Sequence, residues 1–181
     1  MSSAPPSRTS LAPDLRADRQ MVLDASSRGA DAVHSPATLH QFLDWVVEAL
    51  EVKMAHYAWT GVYLRRGDEL VLECFRGEPS PHTRIPLGRG ICGAAVTEEQ
   101  TIVVPDVNAD NRYLACSLDT RSEIVVPIRA NGHVVGEIDI DSDRLDAFGP
   151  DDRVFLEGLA GHVGRAIELA GSLPPDPQTL N

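Results

Sequence analysis

The chain has 181 residues, of which 43% are apolar, and a formal net charge of −11 at neutral pH. This length and apolar content predict one globular domain with a substantial core. The negative charge argues against a broad binding surface for nucleic acid or anionic membranes. No apolar run reaches the roughly 18 residues of a transmembrane helix, and the N-terminal segment lacks the apolar centre of a signal peptide. We therefore expect a cytoplasmic protein.

Both ends of the sequence have compositions that disfavour compact structure. Residues 1–15 are rich in Pro, Ser and Ala, and the last segment contains the run SLPPDPQTLN. Such segments bury too little apolar surface to become ordered. We predict a disordered arm at residues 1–15, a folded domain at residues 16–170 with its core at about 39–170, and a disordered tail at residues 171–181.

Three helices are predicted along the chain. The first falls between Pro13 and Ala25. The second begins at Ser35 and Pro36, because serine caps a helix and proline suits its first position. Its apolar residues recur every three or four positions, which indicates one buried face. The third helix begins at Pro150, and two aspartates follow there at the positive end of the helix dipole.

The segments between the second and third helices are typical of strands. TGVYLRRGDELVLECF predicts a hairpin, and TIVVP predicts a short strand. In SEIVVPIRANGHVVGEIDID, β-branched runs flank Asn131 and Gly132, the preferred pair for a tight hairpin turn. Five or six antiparallel strands, with the terminal helices on one face, predict an α+β fold. The other face then requires a cover, and residues 78–118 can supply a loop-covered ligand pocket.

The run GEIDIDS carries three acidic residues at two-residue spacing. Strand alternation places Glu137, Asp139 and Asp141 on one face. Like charges this close repel one another, and burial raises carboxyl pKa values, so a proton tends to be retained. Such a cluster suits binding of an ammonium group or donation of a proton, and a solvated strand face is the alternative. No histidine lies at ligand spacing nearby, so we expect no metal.

Glu123 on the partner strand has two possible orientations. A strict two-residue turn at Asn131 and Gly132 pairs Glu123 with Ile140 and directs it away from the aspartates. A bulge of one residue, which Gly132 can support, reverses this orientation. The sequence leaves both possibilities open.

The three cysteines occupy different contexts. Cys74 alternates with Leu70 and Leu72 on one strand face, which favours a buried thiol. Cys92 follows a Gly-Arg-Gly run near a helix start, where backbone N–H groups stabilise a thiolate, although a small packed residue is equally consistent. Cys116 lies in a polar loop, and loops rarely bury a cysteine for packing, which favours reactivity.

The runs WTGVYL, GRGICG, LACSLDTRSEIVVP and GEIDIDS together resemble a GAF domain over roughly Leu39 to Ala170. More narrowly, they resemble the free methionine-(R)-sulfoxide reductases, which are single GAF domains. Ordinary sensory GAF domains usually carry neither the cysteine of the third run nor the two aspartates of the fourth. The combination of both features makes the narrower resemblance specific.

The resemblance implies roles for two cysteines. It implies that Cys116 attacks the sulfoxide sulfur and becomes a sulfenic acid, and that Cys92 then closes a disulfide with it. Thioredoxin or another dithiol would restore both thiols, without a bound cofactor. A homodimer is also expected. No nucleic acid or membrane partner is implied.

The resemblance also implies a substrate pocket. Glu123, Asp139 and Asp141 match acidic residues that line this pocket, where they would bind the substrate and supply a proton. Trp59, which sequence alone allows as a core residue or a pocket wall, matches an aromatic wall against the methyl end of the substrate. This match also favours the bulged orientation of Glu123.

One position departs from the family pattern. Many members carry a third redox cysteine two residues before the RIP run, where this chain has His82. A route through Cys92 and Cys116 is still chemically complete. The competing hypothesis is a non-catalytic GAF module that binds a small ligand or senses redox state. Turnover of free methionine sulfoxide distinguishes the two.

Overall fold

The computed structural model describes residues 15–114 and 119–179 of the chain. Four α-helices lie in this part: α1 (Leu15–Asp31), α2 (Pro36–Lys53), α3 (Gly90–Glu98) and α4 (Pro150–Ala170). Six strands accompany them: β1 (Trp59–Arg66), β2 (Glu69–Arg76), β3 (Arg84–Pro86), β4 (Ile102–Val104), β5 (Ser122–Ala130) and β6 (His133–Ser142). A short 3₁₀ helix follows β4 at Val107–Ala109. None of the described helices has the length and apolar character needed to cross a membrane.

The helices begin where the capping residues predict. The Ser35 side chain accepts a hydrogen bond from the Thr38 backbone N–H at 3.2 Å, and Pro36 and Pro150 occupy the first turns of α2 and α4. The first helix extends beyond the predicted boundary at residue 25 and ends at residue 31. Gly29 explains this difference, because a Cβ there would lie 3.0 Å from the Phe42 ring of α2. Close packing against α2 thus outweighs the low helix propensity of glycine.

The sheet has the order β3-β2-β1-β6-β5-β4, and every neighbouring pair is antiparallel. Helices α1, α2 and α4 pack on one face and enclose the larger apolar core. The opposite face is covered by α3 and by the segments around it, which enclose a smaller apolar cluster. The predicted α+β fold, with six antiparallel strands and the terminal helices on one face, is therefore confirmed.

A bulge in the hairpin of β5 and β6 settles the orientation of Glu123. Next to the turn, Arg129 pairs with Val134, as a strict two-residue turn requires. The register then shifts by one residue, so that Glu123 pairs with Asp141 rather than with Ile140. The bulged alternative is therefore the correct one, although the extra residue is Val135 and not Gly132.

A second bulge separates Cys74 from the leucines of its strand. The register of β1 and β2 shifts between Val62 and Tyr63, so that Val62 pairs with Cys74 and Tyr63 pairs with Leu72. Cys74 consequently lies in the helix-side core, and Leu72 lies on the opposite face. The prediction of a buried thiol is confirmed, but the predicted common face is wrong. Burial, followed by the charge on Glu73, raises the pKa of the Cys74 thiol.

The segment after α4 contacts arginines of β1 and of the edge strand β3. Arg66 donates a hydrogen bond to the Pro174 carbonyl oxygen at 2.7 Å, and Arg84 pairs with the Asp176 carboxylate. These contacts are made by Pro174 and Asp176, which lie within residues 171–181, where composition predicts a disordered tail. Covering an edge strand in this way limits its pairing with other chains.

Candidate active site

Register brings the predicted site residues to one face of the sheet. Across the central strands, Trp59 pairs with Asp141, and Gly61 pairs with Asp139. On the other side of β6, Glu123 pairs with Asp141. Residues paired across an antiparallel ladder direct their side chains to the same face. All of these side chains therefore lie on the face opposite the terminal helices.

Helix α3 places Cys92 over this acidic face. Cys92 is the third residue of α3 and is 6% exposed. Its thiol donates to the Asp139 carboxyl, with Sγ 3.4 Å from Oδ2, and it approaches Glu123 Oε1 at 3.9 Å. The helix start predicted surroundings that stabilise a thiolate. The structure adds two carboxyl groups at contact distance, and carboxylates oppose a second negative charge.

Four buried carboxyl groups share this site. Burial is the main cause that raises the pKa of Asp139 to about 7. Burial and then the charge of Asp139 raise the pKa values of Glu137 and Asp141 well above their ordinary values. The pKa of Glu123 is also raised well above its ordinary value, first by burial and then by the charges of the neighbouring carboxyls. Asp139 therefore titrates near neutral pH, and the other three carboxyls keep their protons to higher pH than ordinary carboxyls do.

Several oxygens of this cluster have no hydrogen-bond partner among the described residues. They are Glu137 Oε1 and Oε2, Asp139 Oδ1 and Asp141 Oδ1, and all four are buried. None of the ion pairs formed within residues 15–114 and 119–179 involves a carboxyl of the cluster. Buried polar atoms are nearly always paired, so unpaired ones indicate a site that a proton or a ligand completes.

Trp59 forms one wall of a small cavity beside the cluster. Its indole N–H donates to the Glu78 carbonyl oxygen at 3.0 Å, and its ring stacks on Phe75 at a centroid distance of 6.0 Å. Gly61 leaves room for the indole, because a Cβ there would lie 2.2 Å from Trp59 Cη2. The cavity has a volume of about 210 Å³. It is lined by Ala58, Trp59, Glu78, Ser80, Asp119, Thr120, Asp141 and Asp143.

The cavity is small. Pockets for drug-sized ligands occupy roughly 300–1,000 Å³, so this cavity suits a smaller molecule. A larger depression of about 640 Å³ lies beside Pro105 and Arg112, but none of the four buried carboxyls lines it. The chemistry-bearing residues therefore point to the smaller cavity.

Cys92, Glu123 and Asp139 also satisfy a distance criterion for holding a metal ion. One possible ligand atom from each lies within 4.8 Å of the others. Metal binding would require ionised carboxylates and a thiolate. Burial raises the pKa values of both carboxyls, so without a bound cation this group tends to hold protons.

The structure places most of the predicted site residues together. Cys92, Glu123 and Asp139 are in contact, and Asp141 and Trp59 line the adjoining cavity. Cys116 lies outside the described residues, so its pairing with Cys92 stays a prediction.

Two further features were not among the predicted site residues. Strand alternation had placed Glu137 on the acidic face, but the resemblance did not assign it to the pocket, and the structure buries it within the cluster. Tyr63, on the same face, donates from its hydroxyl to the His82 carbonyl oxygen at 2.8 Å. This contact fixes the backbone at the position where the family pattern has a cysteine.

A model of the GAF domain family matches residues 38–167. The chain belongs to the GAF domain family. The matched range agrees with the resemblance that the sequence motifs indicate, which runs from about residue 39 to residue 170.

The chain is also similar to individual curated proteins. The chain is 43% identical over 102 residues to GAF domain-containing protein A of Dictyostelium discoideum, covering 56% of this chain and 64% of that protein. It is 36% identical over 109 residues to the free methionine-R-sulfoxide reductase of Escherichia coli, covering 60% and 66%. This GAF domain protein thus spans slightly less than two thirds of either curated relative.

A solved structure matches over a longer range. The X-ray structure of free methionine-R-sulfoxide reductase from Neisseria meningitidis, in complex with its substrate, is 34% identical with a TM-score of 0.81. The match covers 88% of this chain and 94% of the Neisseria chain.

Proposed function

We propose that this GAF domain protein reduces free L-methionine-(R)-sulfoxide to methionine, with thiols as the source of electrons. One observation carries the proposal: the Cys92 thiol contacts the buried carboxyls of Asp139 and Glu123, and Asp141, the strand partner of Glu123, lines a small cavity walled by Trp59. Similarity to two free methionine-R-sulfoxide reductases, at 36% and 34% identity, supports it.

The cavity offers complementary groups to a free amino acid. The Trp59 ring suits the apolar methyl end of the substrate, and the Asp141 carboxyl, which lines the cavity, suits its ammonium group. The start of α3 suits its carboxylate, because backbone N–H groups there favour anions. A peptide bond would neutralise both charged ends, so a free amino acid is preferred over a residue within a protein.

The first chemical step transfers oxygen from substrate to cysteine. A neutral carboxyl, for which Asp139 is the leading candidate, protonates the sulfoxide oxygen and makes the sulfur a better electrophile. The Cys116 thiolate attacks that sulfur, and the S–O bond of the substrate breaks. Methionine leaves with two more electrons on its sulfur, and the sulfur of Cys116, oxidised by two electrons, becomes a sulfenic acid.

The second step resolves the sulfenic acid. Cys92 attacks the oxidised sulfur of Cys116, a disulfide forms, and the hydroxyl leaves as water. Thioredoxin or another dithiol then reduces the disulfide by exchange. Neither a bound cofactor nor a metal takes part in this route. The homodimer expected from the sequence is not required for it.

Single cysteine variants test the assignment of the attacking thiol. We expect Cys116→Ser to abolish loss of the R epimer of free methionine sulfoxide in the presence of dithiothreitol. Cys74→Ser, whose thiol lies on the helix side of the sheet, serves as the matched control and retains turnover. Equal losses in both variants would contradict the proposed nucleophile. Tight binding of the sulfoxide without any turnover by the unmodified protein would favour a ligand-binding GAF module instead.

A third variant tests the resolving role of Cys92. We expect Cys92→Ser, incubated without dithiol, to convert about one sulfoxide per chain and then to stop, because the sulfenic acid cannot form a disulfide. Rapid-quench analysis of methionine measures this burst. Continued cycling of the variant with thioredoxin as the only reductant would show that Cys92 is not required for resolution.

A further inference from the structure

Cys92, Glu123 and Asp139 come from three different elements and meet on one face of the sheet. Cys92 lies in α3, Glu123 in β5 and Asp139 in β6. The Cys92 Sγ atom is 3.4 Å from Asp139 Oδ2 and 3.9 Å from Glu123 Oε1. All three side chains are buried. One thiol and two carboxyls thus converge on one small, enclosed volume.

These separations match the ligand spacing of a tetrahedral zinc site. Zinc binds thiolate sulfur at about 2.3 Å and carboxylate oxygen at about 2.1 Å, so a tetrahedral angle holds the two ligands about 3.6 Å apart. The distances from Cys92 Sγ to the two carboxyl oxygens, 3.4 and 3.9 Å, lie on either side of this value. One zinc ion can therefore contact all three side chains with small movements of their terminal atoms.

Unpartnered oxygens at the same place are a second, independent observation. The other oxygen of the Asp139 carboxyl, Oδ1, is buried and has no hydrogen-bond partner among the described residues. The same is true of both oxygens of Glu137, which lies on the same face of β6. Within residues 15–114 and 119–179, none of the ion pairs brings a cation to Glu123, Glu137 or Asp139. Buried carboxylates are ordinarily paired or bound to a metal, so these oxygens indicate a place for a cation.

We propose that Cys92, Glu123 and Asp139 bind one zinc ion. The donor set selects this ion, because magnesium and calcium take oxygen ligands, whereas zinc takes both thiolate sulfur and carboxylate oxygen. Three protein ligands leave the fourth tetrahedral position for water. Zinc displaces the protons of the thiol and of the two carboxyls, and no oxidation state changes.

The absence of histidine near β6, from which the sequence predicts no metal, does not exclude this site. Cysteine is an equally good zinc ligand. Cys92 is 47 positions from Asp139 in the chain, and only the packing of α3 over the sheet brings the two together. Ligand spacing along β6 alone could not indicate the site.

Bound zinc takes Cys92 out of the redox route, and this part of the inference rests on the proposed function. A thiolate that is coordinated to zinc is not available to attack the oxidised sulfur of a sulfenic acid. The metal-free chain is then the active form. Zinc is an inhibitor that acts on the resolving thiol.

Protection of Cys92 from alkylation tests the site without any sulfoxide. The reduced full chain reacts with iodoacetamide at mildly alkaline pH, with or without zinc, and peptide mass spectrometry follows modification of Cys92. We expect zinc to slow this reaction by at least about tenfold, because the coordinated sulfur is a weaker nucleophile. Magnesium at the same concentration leaves the rate unchanged. No protection by zinc, or equal protection by magnesium, would overturn the proposal.

Variants of the two carboxyls test whether they belong to the site. We expect Asp139→Asn and Glu123→Gln each to raise the zinc concentration for half-maximal protection by at least about tenfold, since even residues outside the ligand set contribute roughly 10- to 100-fold. The matched controls are Asp68→Asn, at an exposed residue, and Glu73→Gln, at a buried residue that contacts α2. Both leave the value unchanged. Equal protection in all four variants would show that zinc binds Cys92 without the carboxyls.

Cobalt(II), which occupies zinc sites and absorbs visible light, reports the geometry with both carboxyls intact. In the chain carrying Cys74→Ser and Cys116→Ser, Cys92 is the sole cysteine. We expect a charge-transfer band from thiolate to cobalt and the intense visible bands of tetrahedral coordination, and we expect zinc to remove both. Weak octahedral bands without charge transfer would refute the site. Since neither assay contains methionine sulfoxide, failure of the proposed reductase activity leaves zinc binding standing, and failure to bind zinc leaves the reductase proposal standing.

Discussion

Buried acidic residues on the two sides of the sheet have opposite environments. On the helix side, the Asp152 carboxylate accepts hydrogen bonds from Arg19 at 2.5 Å, Tyr57 at 2.9 Å and His56 at 3.2 Å. It also accepts one from the backbone N–H of Gly149 at 3.1 Å. On the other side, four buried carboxyls cluster around Cys92 with several oxygens unpartnered. Protein groups thus supply the hydrogen bonds of Asp152, whereas the unpartnered oxygens around Cys92 require protons or a ligand.

The pKa values of the two groups of acids show the same contrast. Burial opposes ionisation of both Asp152 and Asp139. At Asp152, the hydrogen bonds from His56, Gly149 and Tyr57 together with the charge of Arg19 outweigh burial and lower the pKa. At Asp139, burial prevails and raises the pKa to about 7. Donors, rather than depth, therefore decide whether a buried acid stabilises this fold or remains available for chemistry.

Removal of the acid at Asp139 gives the largest expected effect. We expect Asp139→Asn to lower kcat/KM for free methionine-(R)-sulfoxide by about 100-fold, because the amide cannot protonate the sulfoxide oxygen. The same variant unfolds at a higher denaturant concentration, because it removes a buried ionisable group that lacks a complete set of partners.

Asp68→Asn is the matched control for this variant. Asp68 is an exposed residue in the turn between β1 and β2, so the same substitution there changes neither quantity. If Asp139→Asn kept its turnover and lost stability, Asp139 would stabilise the fold as Asp152 does. The proposed difference between the two sides of the sheet would then be wrong.

Substitution of Asp152 is expected to change stability and not turnover. We expect Asp152→Ala to lower the free energy of unfolding by about 3 kcal/mol, because it leaves the half-buried Arg19 and His56 without their shared partner. Turnover per folded molecule stays the same, since Asp152 lies on the helix side. Urea unfolding monitored by circular dichroism measures the change.

The neighbouring Asp151 separates the buried contacts from the helix dipole. It occupies the same first turn of α4, but its side chain is 93% exposed. We expect Asp151→Ala to leave the unfolding midpoint nearly unchanged. Similar losses from both variants would indicate that interaction with the dipole, and not the buried network, gives Asp152 its importance.

Local signals in the sequence were sufficient for much of the fold. Ser35 and Pro36 fix the start of α2 through backbone groups within one turn, and Asn131 and Gly132 fix a hairpin through their own dihedral angles. Each of these features depends on residues that are adjacent in the chain. They are consequently readable before any tertiary contact is known.

Local sequence signals could not predict the two bulges or the position of Cys92. A bulge depends on how both faces of a sheet pack, so neither the orientation of Glu123 nor the separation of Cys74 from Leu72 follows from alternation alone. The contact between Cys92 and Asp139 joins residues 47 positions apart. The motif resemblance implied that these residues share a site, but it gave no distances.

The contrast between the two sides also predicts how stability depends on pH. Between the ordinary Asp pKa of 3.8 and the folded value of about 7, Asp139 binds a proton in the folded state that the unfolded state has lost. Stability therefore falls as pH rises through this window, by about 1.4 kcal/mol per unit for one such group. Glu123, Glu137 and Asp141 have raised pKa values as well and add to the slope.

Asp152 gives the opposite sign. Its folded pKa is lowered, so its contribution is present above the ordinary value of 3.8 and is lost as pH falls below it. We expect the free energy of unfolding, measured by urea titration, to be largest at mildly acidic pH, between these two windows. Asp139→Asn should reduce the loss of stability as pH rises above 4, without changing the loss below pH 3.8. Asp152→Ala should reduce only the loss below pH 3.8. A decline above pH 4 that is equally steep in Asp139→Asn would show that the cluster around Cys92 does not hold its protons in the folded protein.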